Sequence, residues 1–245
     1  MIIDRTEHTD WLTNAYLIAD GPGGSGALID ANATLDPLLE RVDRDGITIT
    51  HILLTHHHPD HVAGLDRYRE RFGAPVVAHA DTAAALGAGV VDETVAGGAS
   101  IRSGDLEIVA MDTPGHCAGH LAFLVGRDCF TADLLFRGTV GGTRSPGGNY
   151  ADLRRSIMER MMSLPHRTRV HPGHREPTTI GDEWERNPFI RLWRGLDPEG
   201  SEAVRVREDP ATLILWAPDY DGGNKALVEF PDGERAIVGG SQIVR

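Results

Sequence analysis

Apolar residues in this chain come in short runs, separated by glycine, proline and polar clusters. Asn14–Ala19 is apolar, Gly21-Pro22-Gly23-Gly24 interrupts it, and Gly26–Ile29 resumes, so residues 1–30 read as strands joined by a turn. Leu35–Val42 reads as a helix and His51–Leu54 as a buried strand. A helix is expected from Asp60 to about Phe72, with Val62, Leu65, Tyr68 and Phe72 forming its inward stripe. Pro75–His79 then reads as a strand, Ala80–Leu86 as a helix, and several short strands follow between Val90 and Thr131. Gly138–Asn149 is too rich in glycine and too irregular for a strand or helix. Ala151–Met162 is expected to be a helix whose apolar face is Leu153, Ile157, Met158, Met161 and Met162; such a methionine cluster reads as core.

Sheet alternating with helix, followed by a second such batch, fits two packed sheets flanked by helices. The character changes after Gly195. Asp197-Pro198-Glu199-Gly200-Ser201-Glu202 reads as a linker. Beyond it, Thr212–Trp216, Ala226–Phe230, Arg235–Val238 and Gln242–Val244 read as short strands, with Asp221-Gly222-Gly223 and Pro231-Asp232-Gly233 as turn signals. The expected layout is therefore a main domain over 1–196 and a small β-rich extension over 197–245. The extension is too short to bury a large core alone. It is expected to pack on the main domain or to pair with a second subunit, which would make a homo-oligomer.

Charged residues make up 24% and hydrophobic residues 40%, an ordinary globular balance. The formal net charge of −12 opposes binding to nucleic acid or to an anionic membrane, both of which need a basic footprint. Lys225 is the only lysine, which we read as a mark of a GC-rich genome. The first residues show no secretory signal and no window approaches a membrane span, so a cytoplasmic protein is expected. Two cysteines, Cys117 and Cys129, do not make a disulfide framework.

The chemistry is concentrated in Thr55-His56-His57-His58-Pro59-Asp60-His61. Residues two apart in an extended segment share a side, so His56 and His58 can face one metal while His57 points away. Pro59 suits the first turn of a following helix, which would present Asp60 and His61 at its start. Two ligand pairs on one strand-to-helix turn are a compact route to two adjacent ions. An incidental histidine-rich loop is the alternative, but further ligand types recur after short apolar runs. These are His116 in Thr113-Pro114-Gly115-His116, Asp133 in Phe130-Thr131-Ala132-Asp133, and His171 and His174 in His171-Pro172-Gly173-His174. A loop on a rigid sheet can aim each of them.

With these motifs the chain resembles the metallo-β-lactamase-fold hydrolases over most of residues 1–190. Within that family it looks most like the short glyoxalase II-like proteins, on Thr113-Pro114-Gly115-His116-Cys117-Ala118-Gly119-His120, Gly138-Thr139-Val140-Gly141-Gly142, Pro146-Gly147-Gly148, Pro172-Gly173-His174, Thr179-Ile180-Gly181-Asp182-Glu183 and Asn187-Pro188-Phe189. The resemblance implies an α/β fold, the four-layer αββα sandwich, and two divalent metal ions. His56, His58 and His116 would hold the first ion and Asp60, His61 and His174 the second, with Asp133 bridging. His174 is preferred to its rival His171 as the last ligand. Asp133 fills the place where some lactamases of this fold use a cysteine, which removes the case for Cys117 as a ligand. Asp30 is either a support for the metal loops or a simple turn residue, and His120 a buried hydrogen-bonding group.

Imidazole and carboxylate donors suit zinc, with iron and manganese sharing the preference. The activity implied is hydrolysis in which a metal-bound hydroxide attacks a carbonyl, first of all a thioester. Asp60 or Asp133 would accept the proton of the attacking water. No Gly-X-Ser-X-Gly elbow, Walker loop or dinucleotide fingerprint is present. The alternatives are a lactonase or other ester hydrolase with the same site, and a mononuclear-iron persulfide dioxygenase. A nuclease, a true β-lactamase and a non-catalytic metal-binding scaffold rank lower. The chain departs from the glutathione-binding pattern: Gly142 stands where Lys or Arg is usual, Arg175-Glu176 where Glu-Tyr is frequent, and the helical carboxy-terminal part is absent. Arg144 could replace the missing charge.

Overall fold

Asn14–Ala19 is buried at every position, and the reason is visible in which neighbours its alternate residues meet. Ala15, Leu17 and Ala19 join Leu28, Ile52, Leu54, Val76 and Ala78 in one core cluster, together with Leu38, Val42, Leu65 and Tyr68 from helices. Tyr16 and Ile18 join Ala27, Ile29, Leu53 and Val77 in a second cluster, against Ile108, Ala110, Leu121, Phe123 and Phe130. The period of two sends successive side chains to opposite faces, so one sheet is covered by helices on one side and by a second set of strands on the other.

The computed structural model describes residues 1–245 throughout, and the chain forms two compact units. The first comprises Met1–Asp112, Gly119–Ala132 and Gly173–Arg175. Its larger sheet runs in sequence order through Ile2–Glu7, Asn14–Ala19, Ser25–Ile29, Thr48–Leu53, Val76–Ala78 and Glu93–Thr94. The first three are antiparallel and the last three add in parallel. Parallel pairing requires crossovers, supplied by helices Asp36–Asp45, Leu65–Phe72 and Ala80–Leu86. The strands Ser100–Ser103, Leu106–Asp112, Leu121–Val125 and Asp128–Ala132 form an antiparallel meander.

The helix expected from Asp60 to Phe72 is two helices, Pro59–Val62 and Leu65–Phe72. The break has a steric cause. A Cβ at Gly64 would lie 2.4 Å from the Asn32 carbonyl oxygen and 2.6 Å from Leu35 Cδ1. The Gly64 N–H donates to the Ala31 carbonyl at 2.8 Å, so the backbone turns to meet a neighbouring loop.

The second unit comprises Thr113–Ala118, Asp133–Pro172 and Glu176–Arg245. The stretch 138–149 is not wholly irregular: Thr139–Val140 pairs with Leu135–Phe136. The helix expected over Ala151–Met162 is α-helical only over Tyr150–Arg155 and continues as a π-helix over Ser156–Met161. After Ile180–Arg186 and Pro188–Trp193, the chain builds a five-stranded antiparallel sheet. Its spatial order is Arg235–Gly239, Asn224–Glu229, Asp209–Pro218, Glu202–Val206, Ile243–Val244. Glu202–Val206 escapes a reading from pattern because only Val204 and Val206 face inward. Those two, with Leu213, Ala226, Val228, Ala236 and Val238, form this sheet's own core.

Hydrogen bonds tie the sheet to the 138–149 stretch within the same unit. Lys225 Nζ donates to the Val140 carbonyl at 2.8 Å. The Thr143 N–H donates to the Ile237 carbonyl at 2.9 Å, and the Ile237 N–H donates to Thr143 Oγ1 at 2.9 Å.

Candidate metal centre

The candidate ligand residues begin where a parallel strand ends, the usual place for a site in an α/β sheet. Thr48–Leu53 runs into Thr55 and His56, and His58 caps the helix Pro59–Val62 with Pro59 in its first turn. Asp30, at the end of Ser25–Ile29, holds this turn. Its Oδ1 accepts from the Thr55 N–H at 2.8 Å and its Oδ2 from Thr55 Oγ1 at 2.8 Å. His61 Nδ1 meets the same Oδ2 at 2.8 Å. Asp30 occupies the left-handed region at φ 57, a conformation Asp tolerates better than most residues. The hydrogen bonds thus assign Asp30 to support of the loop.

Four histidines share one arrangement. The Nδ1 of His61 faces the Asp30 carboxylate, that of His116 the Gly142 carbonyl at 2.8 Å, and that of His174 the Trp11 carbonyl at 3.0 Å. These oxygens only accept, so each Nδ1 carries the proton. His56 Nδ1 lies 3.0 Å from Thr55 Oγ1, whose own hydrogen is committed to Asp30, so this Nδ1 also donates. A neutral imidazole protonated at Nδ1 offers its Nε2 lone pair to a metal, and partners of this kind fix the tautomer.

The second nitrogens converge on carboxylates. His61 Nε2 and His174 Nε2 each lie 3.6 Å from Asp60 Oδ2, and His116 Nε2 lies 3.5 Å from Asp133 Oδ2. These separations are long for hydrogen bonds. They suit two donors each about 2.1 Å from a common tetrahedral ion, which sit about 3.4 Å apart. Asp60, His61 and His174 form one group of donors, and His56, His58, His116 and Asp133 another. Within each group the ligand atoms lie within 4.8 Å of one another. His57, His120 and His171 belong to neither group. His120 is buried with its ring 5.2 Å from that of His56, and His57 is half-buried, which pushes its pKa down. The donor set contains nitrogen and oxygen and no thiolate; Cys117 and Cys129 are both buried and form no disulfide. Residues and spacing fit a pair of divalent ions.

Three supports were not visible in the sequence. Thr13 Oγ1 donates to Asp60 Oδ2 at 2.6 Å, and residue 13 also bridges to His174 in antiparallel fashion. Gly142 contributes its carbonyl to His116. A Cβ at Gly141 would lie 1.9 Å from the Asp133 carbonyl oxygen, so only glycine fits beside that ligand. The glycine-rich run from Gly138 was the available signal for the last two; nothing local marks Thr13. The loop bearing His116 is pinned by Asn149 N–H to the Gly115 carbonyl at 2.8 Å, Ser156 Oγ to the Pro114 carbonyl at 2.8 Å, and Ser145 Oγ to the His116 carbonyl.

Residues 8–174 match the family model of the metallo-beta-lactamase superfamily. The chain belongs to that superfamily and has its α/β fold. It is 35% identical over 204 residues to a hydroxyacylglutathione hydrolase of Bradyrhizobium sp. (strain ORS 278), across 82% of this chain and 74% of that protein. The crystal structure of ETHE1 from Myxococcus xanthus is similar with a TM-score of 0.70 and 32% identity, over 80% of this chain and 92% of that one. The crystal structure of TTHA1623 in a di-iron-bound form is similar with a TM-score of 0.64 and 33% identity, over 76% of this chain and 99% of that one. No helix is long and apolar enough to cross a membrane.

Proposed function

We propose that the protein is a binuclear metal-dependent hydrolase acting on a thioester. His56, His58 and His116 would hold one ion, Asp60, His61 and His174 the other, and Asp133 would bridge them. The observation that carries this reading is the set of four imidazoles whose Nδ1 atoms are engaged by the chain, with two carboxylates among their Nε2 atoms. Likeness to a hydroxyacylglutathione hydrolase supports the choice of a thioester. Zinc is the first expectation for the ions, and the di-iron-bound neighbour makes iron the alternative.

When bound, two divalent ions acidify a shared water and polarise a carbonyl. The protein's own groups do the rest. Thr13 holds Asp60, and Asp60 or Asp133 takes the proton of the attacking water. Asp30 and the Trp11 and Gly142 carbonyls accept from Nδ1, which fixes the tautomer and the orientation of these imidazoles and turns Nε2 toward the ions. Residues 1–196 carry the hydrolase fold in this reading, and 197–245 serve it as an extension.

Glutathione is not the thiol this chain suits best. Gly142 supplies no cation, and Arg175 is committed to structure: its carbonyl accepts from Arg5 and from Asn14 Nδ2 at 2.8 Å, and its guanidinium lies 3.4 Å from Glu7. The test is metal content per chain on protein purified without chelator, with turnover of a panel of thioesters and lactones. Two ions and thioester turnover are expected. Lactone turnover alone would move the substrate to the ester class. One iron, oxygen consumption and no hydrolysis would overturn the proposal in favour of a dioxygenase.

A further inference from the structure

A cavity of about 470 Å³ lies within the second unit, and none of the candidate metal donors is in its wall. Three guanidiniums line it, each from a different element. Arg137 comes from the hairpin 135–140, Arg169 from the strand Arg169–Pro172 and Arg186 from the helix Ile180–Arg186.

The fold sets these three positions. Arg137 and Gly138 are the turn residues between the paired Phe136 and Thr139, and Gly138 takes a left-handed φ of 76. The Gly138 N–H donates to Glu183 Oε2 at 2.9 Å, which pins the hairpin tip to the helix carrying Arg186. Arg169 pairs with Thr179, the residue before that helix, and the Ile180 N–H donates to the Thr168 carbonyl at 3.0 Å. Backbone bonds thus gather the three arginines around one space.

Two carboxylates also reach the wall, and the protein engages both. Glu183 accepts from Gly138, from Thr178 Oγ1 at 2.7 Å and from Asn187 Nδ2 at 2.9 Å. Asp182 accepts from Thr179 Oγ1 at 2.8 Å and lies 3.8 Å from Arg186, an exposed pair that contributes little. The groove lined by Arg67 and Arg71 is different: it has four carboxylates, and Asp36 and Asp43 pair with those two arginines. Three cations against two carboxylates are a positive balance in a chain whose formal charge is −12.

We infer that this cavity is a second ligand site, for a small organic molecule bearing a diphosphate group. Guanidinium forks match phosphate oxygens with paired N–H donors. Guanidiniums on three elements can share a diphosphate, whose charge is spread over several oxygens, whereas a lone carboxylate or orthophosphate engages fewer of them. The volume falls among those of small-molecule sites, about 300–1,000 Å³. The inference is independent of the hydrolase reading, since no candidate metal donor lines the cavity.

The test is calorimetric binding of pyrophosphate, ADP and orthophosphate to full-length metal-loaded protein at one fixed ionic strength. The wild type is compared with R137Q/R169Q/R186Q and with R154Q/R160Q/R167Q, which removes the same charge from exposed positions outside the cavity. The wild type is expected to bind the diphosphates at least about tenfold more tightly than orthophosphate, a preference the cavity variant loses and the control variant keeps. Hydrogen exchange on the same complexes locates the ligand, because a diphosphate can also bind metal ions. Protection is expected over 135–140 and 178–186. Diphosphates that bind no better than orthophosphate, an equal loss in both variants, an unchanged preference in the cavity variant, or protection confined to 56–61 would each overturn the inference.

Discussion

Asp30 shows how one residue can set the chemistry of several others. Its carboxylate accepts from Thr55 and His61, and Thr55 in turn orders His56. In Asp30→Asn one acceptor oxygen becomes a donor that faces donors. Metal affinity at the Asp60–His61–His174 group is expected to fall by about 10–100-fold, the usual cost of losing such a partner. Titration against a competing chelator measures it; unchanged affinity would reduce Asp30 to a turn residue. A second prediction separates two histidines three positions apart. His174 brings Nε2 to 3.6 Å from Asp60, whereas His171 lies in the strand Arg169–Pro172 and in neither donor group. His174→Ala is expected to purify with one ion fewer than the wild type and His171→Ala with the full complement. Metal analysis giving the reverse order would reassign the last ligand.

At the scale of elements, the loops around the ligands depend on close backbone approach. Gly141→Ala would put a methyl group against the Asp133 carbonyl and must displace the segment bearing that ligand. The expected result is a loss of both bound metal and stability, the latter by about 1–3 kcal/mol as for other overpacked sites. Chemical denaturation alongside metal content reports it, and a variant with wild-type values for both would show that the segment yields freely. The helix Ile180–Arg186 carries a different burden. Glu183 is buried, which raises its pKa above the ordinary 4.5 despite donors from Asn187, Thr178 and Gly138. The folded state therefore holds this proton more tightly than the unfolded state. Its stabilising contribution is complete below pH 4.5 and is lost as pH rises through the folded-state value. Glu183→Gln cannot titrate, so its stability relative to the wild type should increase as pH rises from 4.5 toward neutrality. Urea unfolding across that range tests the slope, and a constant difference would refute the linkage.

For the molecule as a whole, the only lysine is a tie point. Lys225 is 5% exposed, pairs with Asp219 at 3.1 Å, donates to Val140 and lies near the rings of Phe136 and Tyr220. It joins the carboxy-terminal sheet to the stretch that contacts His116 and Asp133, a role that genome composition does not suggest. Lys225→Ala leaves Asp219 as an uncompensated buried charge and is expected to cost about 3–5 kcal/mol. Adding Asp219→Asn should recover part of that loss in a thermal melt. Equal stability of the single and double variants would mean the pair is not coupled.

The order and kind of the candidate donor residues are legible in the chain itself, because strand, turn and helix signals act between near neighbours. The pattern of Asn14–Ala19, the run His51–Leu54 and the turn at Pro59 suffice to place His56–His61 at a strand end. The extension's strands were legible for the same reason, apart from Glu202–Val206. What tertiary structure alone decided lies between residues distant in sequence. Asn32 and Leu35 break the helix at Gly64, Trp11 selects the proton position on His174, and Thr13 secures Asp60. Local patterning records which side of an element is buried. It carries no record of which distant donor meets which acceptor, and at this site those pairings determine which ring nitrogens carry the proton and which keep a lone pair.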